Sequence, residues 1–233
     1  MNEFFNRLNM IMMTVFTCLS VKRNQVLVRR REVNLGYALL QYCLFPKHIV
    51  SMLATARDVA QAQGWSDIVH ELNRNIGQER GSDSKNIPHY ALLDRAMKRE
   101  FGLVPWETVE RAATGQFILL VLDTLRSNDP FVVMGAVYAL ECTAVPELTV
   151  VLDLVEFLAS KRENKRLHSD TLWFFERHLG TWEPSHEEGL RTAIGALLSG
   201  ASEEERFEQG FHRVLQTMET WWAALAEEAA SQL

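Results

Sequence analysis

Turn formers are scarce in this sequence: twelve glycines and six prolines in 233 residues, against the roughly 12% the two contribute to an average protein. Few corners in a long chain imply long elements, which excludes a collagen-like repeat and a sheet of many short strands. Cysteine is just as sparse. Cys18, Cys43 and Cys142 are odd in number, far apart and never in a CxxC pair, so neither a disulfide scaffold nor a zinc–thiolate site is indicated. An excess of positive charge is also missing. Lys and Arg number 24 against 30 Asp and Glu, a net charge of −6, with a pI near 5.7. Nucleic-acid binders usually carry a basic face. The basic runs here, Arg29-Arg30-Arg31 and Lys161-Arg162 with Lys165-Arg166, read as solvated helix faces. The longest apolar run, Met10 to Val21, is too short to cross a ~30 Å bilayer core. It lacks the basic start and small-residue cleavage site of a secretory signal. The expectation is therefore a buried first helix over 1–25 of a reduced, cytoplasmic protein, with no nucleic-acid partner and no stable membrane insertion. Nucleotide and hydrolase signatures such as GxGxxG, GxSxG and HExxH are absent as well.

What remains is an ordinary globular balance, 47% hydrophobic and 23% charged. The length stays below the ~250–300 residues at which single cores stop growing, so one domain over 1–233 is expected. The prolines organise the reading. Pro46, Pro88, Pro105, Pro130, Pro146 and Pro184 each precede a stretch of helical composition, and a first-turn proline sacrifices no hydrogen bond. Asp129 supplies a capping oxygen ahead of Pro130. Ser202 with Glu205 forms a capping box for a long final helix over 202–233, ending near Gln232. Leu119, Leu120, Leu122 and Leu125 cluster on one side of a helix, as do Val150, Leu152, Val155 and Leu158. No alternating strand pattern appears. The fold class is all-α, a bundle of about eight to ten helices, whose one conspicuous loop is Gly81–Asn86.

The chemistry can only reside with the histidines. His48, His168 and His212 read as surface or satisfied core residues, and His70-Glu71 as a structural pair. Three other stretches combine imidazole with carboxylate. Glu79 closes one helix and His89 follows the proline that opens the next. Glu141 is a single carboxylate in the apolar stretch 136–141, where burial is expensive unless a cation compensates it. In Phe174-Phe175-Glu-Arg-His178-Leu-Gly-Thr-Trp-Glu183-Pro-Ser-His186, Glu183 and His186 are three apart and share a helical face. A Glu-x-x-His pair with glutamates from other helices is how bundles build two-metal sites. Hard carboxylate oxygens can bridge two cations and neutral imidazoles complete the shells. Met10, Met12, Met13 and Trp173-Phe174-Phe175 read as core packing, and Trp221-Trp222 as one inward and one outward ring.

The order N…E-x-G…H…LL, then a lone Glu in an apolar helix, then FF…H…E…H, resembles the haem-oxygenase-like di-metal oxidases, in particular their CADD-like branch. The resemblance spans roughly 26–198. It implies a haem-oxygenase-like bundle of about seven core helices plus short extra ones. It also implies two non-haem iron ions, or iron with manganese, that use O2 as co-substrate to oxidise a small amino-acid-derived or fatty-acyl metabolite. Carried over residue by residue, Glu79, His89, Glu141, His178, Glu183 and His186 would be the metal ligands. The resemblance further implies a small-molecule substrate and admits an external electron donor and a homodimer. The closing motif departs from the family pattern, which usually sets its acid four residues after the first histidine. Here it is five, and Glu instead of Asp, which on a straight helix turns the acid ~100° away. Either a bulge or kink near Gly180 and Pro184 restores convergence, or the helix breaks and Ser185 with Glu188 caps a new one. A non-catalytic ligand- or partner-binding protein on the same fold is the alternative. Cys142 beside Glu141 is similar to the cysteine–glutamate chemistry of thiaminase-II, but reads better as a buried inert thiol.

Overall fold

Ten α-helices succeed one another in the computed structural model, which describes residues 2–27, 32–162 and 166–231; no strand occurs among them. They are α1 (Asn2–Leu27), α2 (Glu32–Tyr42), α3 (Pro46–Ala62), α4 (Ser66–Glu79), α5 (His89–Phe101), α6 (Ala112–Leu125), α7 (Pro130–Ala159), α8 (Ser169–Arg177), α9 (Glu183–Gly195) and α10 (Ala201–Ser231). A 3-10 turn, Pro105–Glu107, lies between α5 and α6, and a π-helical segment, His178–Trp182, joins α8 to α9. The run 29–31, Lys165 and Gln232 lie outside the described residues. No helix among the described residues is long and apolar enough to cross a membrane.

Two long helices, α7 and α10, form the spine. They touch backbone to backbone because each carries a glycine at the crossing. A Cβ on Gly135 would stand 1.9 Å from the Phe207 carbonyl oxygen, and one on Gly210 would stand 1.9 Å from that of Val132. The aromatic layer around this notch interlocks edge to face, Phe5 on Tyr138 at 5.1 Å and on Phe207 at 6.0 Å. α1 supplies Phe4, Phe5, Leu8, Met12 and Phe16, all buried and spaced three or four apart, the stripe an amphipathic helix needs. Each such side chain contributes roughly 1.5–3 kcal/mol by leaving water. Met10 and Met13 lie off that stripe and are exposed, and so is Trp173, so only Met12, Phe174 and Phe175 serve the core as expected.

Four local expectations are corrected. Pro146 sits inside α7 and opens nothing; the buried helix runs through it. The final helix begins at Ala201, and its capping carboxylate is Glu203, which accepts from both the backbone N–H and the hydroxyl of Ser199 at 2.8 Å. On α6 the buried face is Phe117, Ile118, Val121 and Leu125, leaving Leu119 and Leu120 exposed. Trp221 and Trp222 are both buried. Trp221 stacks on Phe117 at 4.2 Å and Trp222 donates its Nε1–H to Glu147 at 2.9 Å.

Candidate metal centre

The first half of the site is built by a helix end that folds back on itself. α4 finishes with Asn75, Gln78 and Glu79, and the chain turns at Gly81 with φ +99°. A side chain there would meet the Ile87 backbone at 2.6 Å, so only glycine lets the loop close. The loop then returns through Lys85 and Asn86, both left-handed, with the Asn86 N–H donating to the Gly81 carbonyl at 2.9 Å. It delivers Pro88 as the residue before α5 and His89 as the first residue within it. His89 Nδ1 thereby lies 3.1 Å from Glu79 Oε1, and its Nε2 lies 3.1 Å from Asp83 Oδ1. Burial pulls the His89 imidazole down, but hydrogen bonds to Glu79 and Asp83 outweigh it and leave its pKa raised.

α7 contributes Glu141, buried just beyond the glycine crossing. Its Oε1 accepts from the Asn75 amide at 3.2 Å.

The last half comes from the segment whose spacing was ambiguous. The helix does not break. The Glu183 N–H donates to the His178 carbonyl, five residues back, which is the hydrogen bond of a π-turn. Pro184 gives the reason: in a regular α-helix its ring would meet the carbonyl four residues earlier, and the widened turn relieves that contact. Ser185 caps nothing; its hydroxyl accepts from Arg74 at 2.7 Å, and Arg74 also pairs with Glu71 at 2.7 Å. Arg74 thus clamps α4 to α9, with Glu71 beside it on α4, outside the site.

The bulge turns Glu183 and His186 inward. His186 Nδ1 lies 3.5 Å from Glu141 Oε2 and 3.5 Å from Glu183 Oε2, while its Nε2–H donates to Gln78 Oε1 at 2.8 Å. Burial again lowers the imidazole, yet the hydrogen bonds to Glu141 and Glu183 dominate and push it up to about 11. Burial raises the Glu183 carboxyl. His178 behaves oppositely. Its Nδ1–H donates to the Phe174 carbonyl at 2.8 Å, and burial with His89 nearby pulls its pKa down to about 3, so it is a neutral base at pH 7. It reaches the others through rings only, 4.7 Å from His89.

One oxygen or nitrogen each from Glu79, Glu183 and His186 lie within 4.8 Å of one another, a buried group that could hold a metal ion. Glu79, His89, Glu141, His178 and Glu183 also line a cavity of about 70 Å³ with Tyr42, Leu93 and Glu147 among its other walls, and with no Lys or Arg on it among the described residues. Asn75, Gln78 and Asp83 are hydrogen-bond partners of the candidate ligands that sequence reasoning left without a role. The signal for Asn75 was its place one turn before Glu79 on the same α4 face; Gln78, adjacent to Glu79 and so about 100° around the helix, gave none. Asp83 had none, because a loop acid is ordinary. Cys142 is buried, as expected; its thiol donates to the Ala139 carbonyl at 3.5 Å, and burial raises its pKa well above the usual thiol range. His48 pairs with Glu110 at the surface, and His168 caps α8 by accepting from the Asp170 N–H.

Comparison with known proteins agrees with this frame. The family described as "Domain of Unknown Function with solved-structure structure (DUF3865)" matches residues 2–228. A CADD-like protein of unknown function from Nostoc punctiforme PCC 73102, solved at 1.35 Å, is 32% identical over 99% of this chain and 96% of its own, with a TM-score of 0.88. A second structure of it, at 2.00 Å, is 31% identical, covers 99% of this chain and 98% of its own, and has the same TM-score of 0.88. No curated protein matches. A helical chain that follows a CADD-like structure from end to end, and the DUF3865 family over residues 2–228, belongs to that family.

Proposed function

We propose that this protein is a non-haem di-iron, or iron–manganese, oxidase or oxygenase acting on a small amino-acid-derived or fatty-acyl metabolite. The observation that carries the reading is the gathering of three buried carboxylates and three buried imidazoles, from α4, α5, α7 and the continuous α8–α9 run, with no Lys or Arg among the described residues on the wall of their cavity. Burying so many carboxylates without a cation is expensive, and the donor chemistry fits iron or manganese. His186 Nδ1 faces two carboxylates, so a cation could take the position its proton holds in this arrangement. Glu79, His89, Glu141, His178, Glu183 and His186 would hold the two ions. When bound, the metals supply O2 reduction and the oxidising power directed at the substrate.

The chain's own residues do the rest. The Phe174 carbonyl fixes the His178 tautomer and leaves its Nε2 as the basic nitrogen. Gln78 does the same for His186, leaving Nδ1 toward the carboxylates. Asp83 holds the outer nitrogen of His89, and Asn75 orients Glu141; such outer partners set ligand orientation and basicity. Phe45, Ile49, Leu93 and Leu140 give the cavity an apolar side that keeps water out and steers the apolar part of a substrate.

The test is metal analysis after anaerobic reconstitution with Fe(II). Wild type should retain roughly two irons per chain, and His186→Ala one or none. No retained metal, with the variant indistinguishable, would overturn the reading. One observation favours a second reading: among the described residues, three of the six donors converge within reach of a single ion. A non-catalytic ligand- or partner-binding protein on the same fold would need no second ion, and the metal-free outcome would favour it.

A further inference from the structure

A second concavity lies close to the site but outside it. A groove of about 770 Å³ is bounded by the 83–87 loop, α5 and the start of α8. Lys85, Arg95, Lys98 and Arg99 edge it and outnumber the carboxylates there, Asp83 and Asp170, and Trp173 forms part of its wall. Arg99 is paired with Asp170, and Lys98 lies over the Trp106 ring at 4.7 Å; Lys85 and Arg95 are exposed to water. In a chain of net charge −6 this is a local reversal of sign.

From that groove a line of rings leads inward. Trp173 is 41% exposed and meets the buried Trp182 edge-on, centroids 5.6 Å apart. Trp182 stacks on His89 at 4.3 Å with the planes 14° apart, and meets His178 edge-on at 4.6 Å. Solvent is thus connected, ring against ring, to two of the six proposed ligands. Electron tunnelling decays steeply with the gap between groups, so an unbroken series of contacts is the favoured path from the surface.

We propose that the groove docks an acidic one-electron donor protein, and that Trp173 and Trp182 carry its electron to the metal held by His89 and His178; this rests on the di-metal reading above. In each encounter the donor would lose one electron, and a ferric ion held by these ligands would gain it to become ferrous. No bond forms or breaks. The basic edge supplies the steering: complementary charge accelerates encounter and fades with salt.

A plant-type two-iron ferredoxin, reduced and strongly acidic, is the probe. Its reduction of the oxidised, iron-loaded chain is followed by stopped-flow absorbance, and its binding to the metal-free chain by calorimetry. Both should weaken about tenfold on raising salt from low ionic strength to ~0.5 M, and about as much in Arg95→Glu combined with Lys98→Glu. Trp173→Leu, read as the limiting rate at saturating ferredoxin so that any change in docking drops out, should slow reduction about tenfold. Reduced methyl viologen, which needs no docking, should reduce wild type and Trp173→Leu alike, so a damaged site is told apart from a lost path. Ferredoxin reduction at the wild-type rate in Trp173→Leu, or binding indifferent to the charge reversals, overturns the proposal. Failure to take up iron overturns the di-metal reading and the electron path with it, whereas iron uptake with no response to these variants overturns this proposal alone.

Discussion

Helix α7 passes through two buried regions of opposite character within a few turns. At Gly135 it meets α10 across a dry contact in which backbone presses on backbone and aromatic rings fill the remaining space. At Glu141 it enters a pocket of carboxylates and imidazoles. Both are equally hidden from water, yet one is held by shape and the other by charge. Shape complementarity is complete as it stands. The charged region is not, because buried carboxylates in excess of cations lower stability unless something positive joins them. The contrast separates what folds the chain from what the chain is folded for.

The sharpest way to break the comparison is at the crossing. Gly135→Ala should cost roughly 3 kcal/mol or more, since its Cβ would stand 1.9 Å from a carbonyl oxygen and the helices would have to part. Urea denaturation checks this, and a loss below about 1 kcal/mol would mean that the two helices slide easily.

Asp94 offers a buried carboxylate outside the site, its nearest cation being Lys47 at 3.8 Å. Burial raises its pKa from 3.8 to about 6, with Lys47 opposing the rise. A carboxyl whose folded pKa is raised favours the folded state only while protonated. Its contribution therefore falls as pH climbs from about 4 to about 6 and is an undiminished penalty above that. Asp94→Asn should accordingly stabilise the protein by on the order of 1–2 kcal/mol at pH 7 and hardly at pH 4. Thermal melts at the two pH values decide it, and equal shifts at both would refute the assignment.

Within the site, Glu141→Gln keeps an acceptor for Asn75 while removing one buried charge. Metal-free stability should change by no more than about 1 kcal/mol, whereas iron content should drop. A large destabilisation without metal would show that the carboxylate belongs to the fold after all. The smallest effect is expected at Gly180, in the π-turn, where an added Cβ meets nothing within 4 Å. Gly180→Ala should be neutral or stabilising by roughly 0.5–1 kcal/mol, with iron retention unchanged.

The helices were legible because prolines and capping acids punctuate the sequence, as Asp129-Pro130 does ahead of α7. Among the six candidate ligands Glu141 stood out as a lone carboxylate in an apolar helix, and the other five by their spacing and by the family resemblance. Where sequence reasoning stopped, a partner remote in the chain decided the outcome. Trp222 could turn inward because Glu147, on another helix, accepts its N–H. Leu119 and Leu120 stay outside because the α6 face packed on the core is the one carrying Phe117 and Val121. Pro146 continues a helix that its surroundings keep buried. The spacing from His178 to Glu183 allowed a bulge or a break, and the choice depended on whether the segment was packed on both sides. Arg74 grasping Ser185 is part of that packing.

The widened turn at 178–182 also bears on how such motifs are counted. A ligand pattern written as fixed intervals assumes a constant helical pitch, as a ruler assumes constant divisions. Here one extra residue and one wider turn cancel, so the side chains arrive in phase although the interval has lengthened. Spacing and pitch are then a single compensated quantity. A one-residue insertion can be silent to the geometry it interrupts, provided that the backbone stretches its count at the same place.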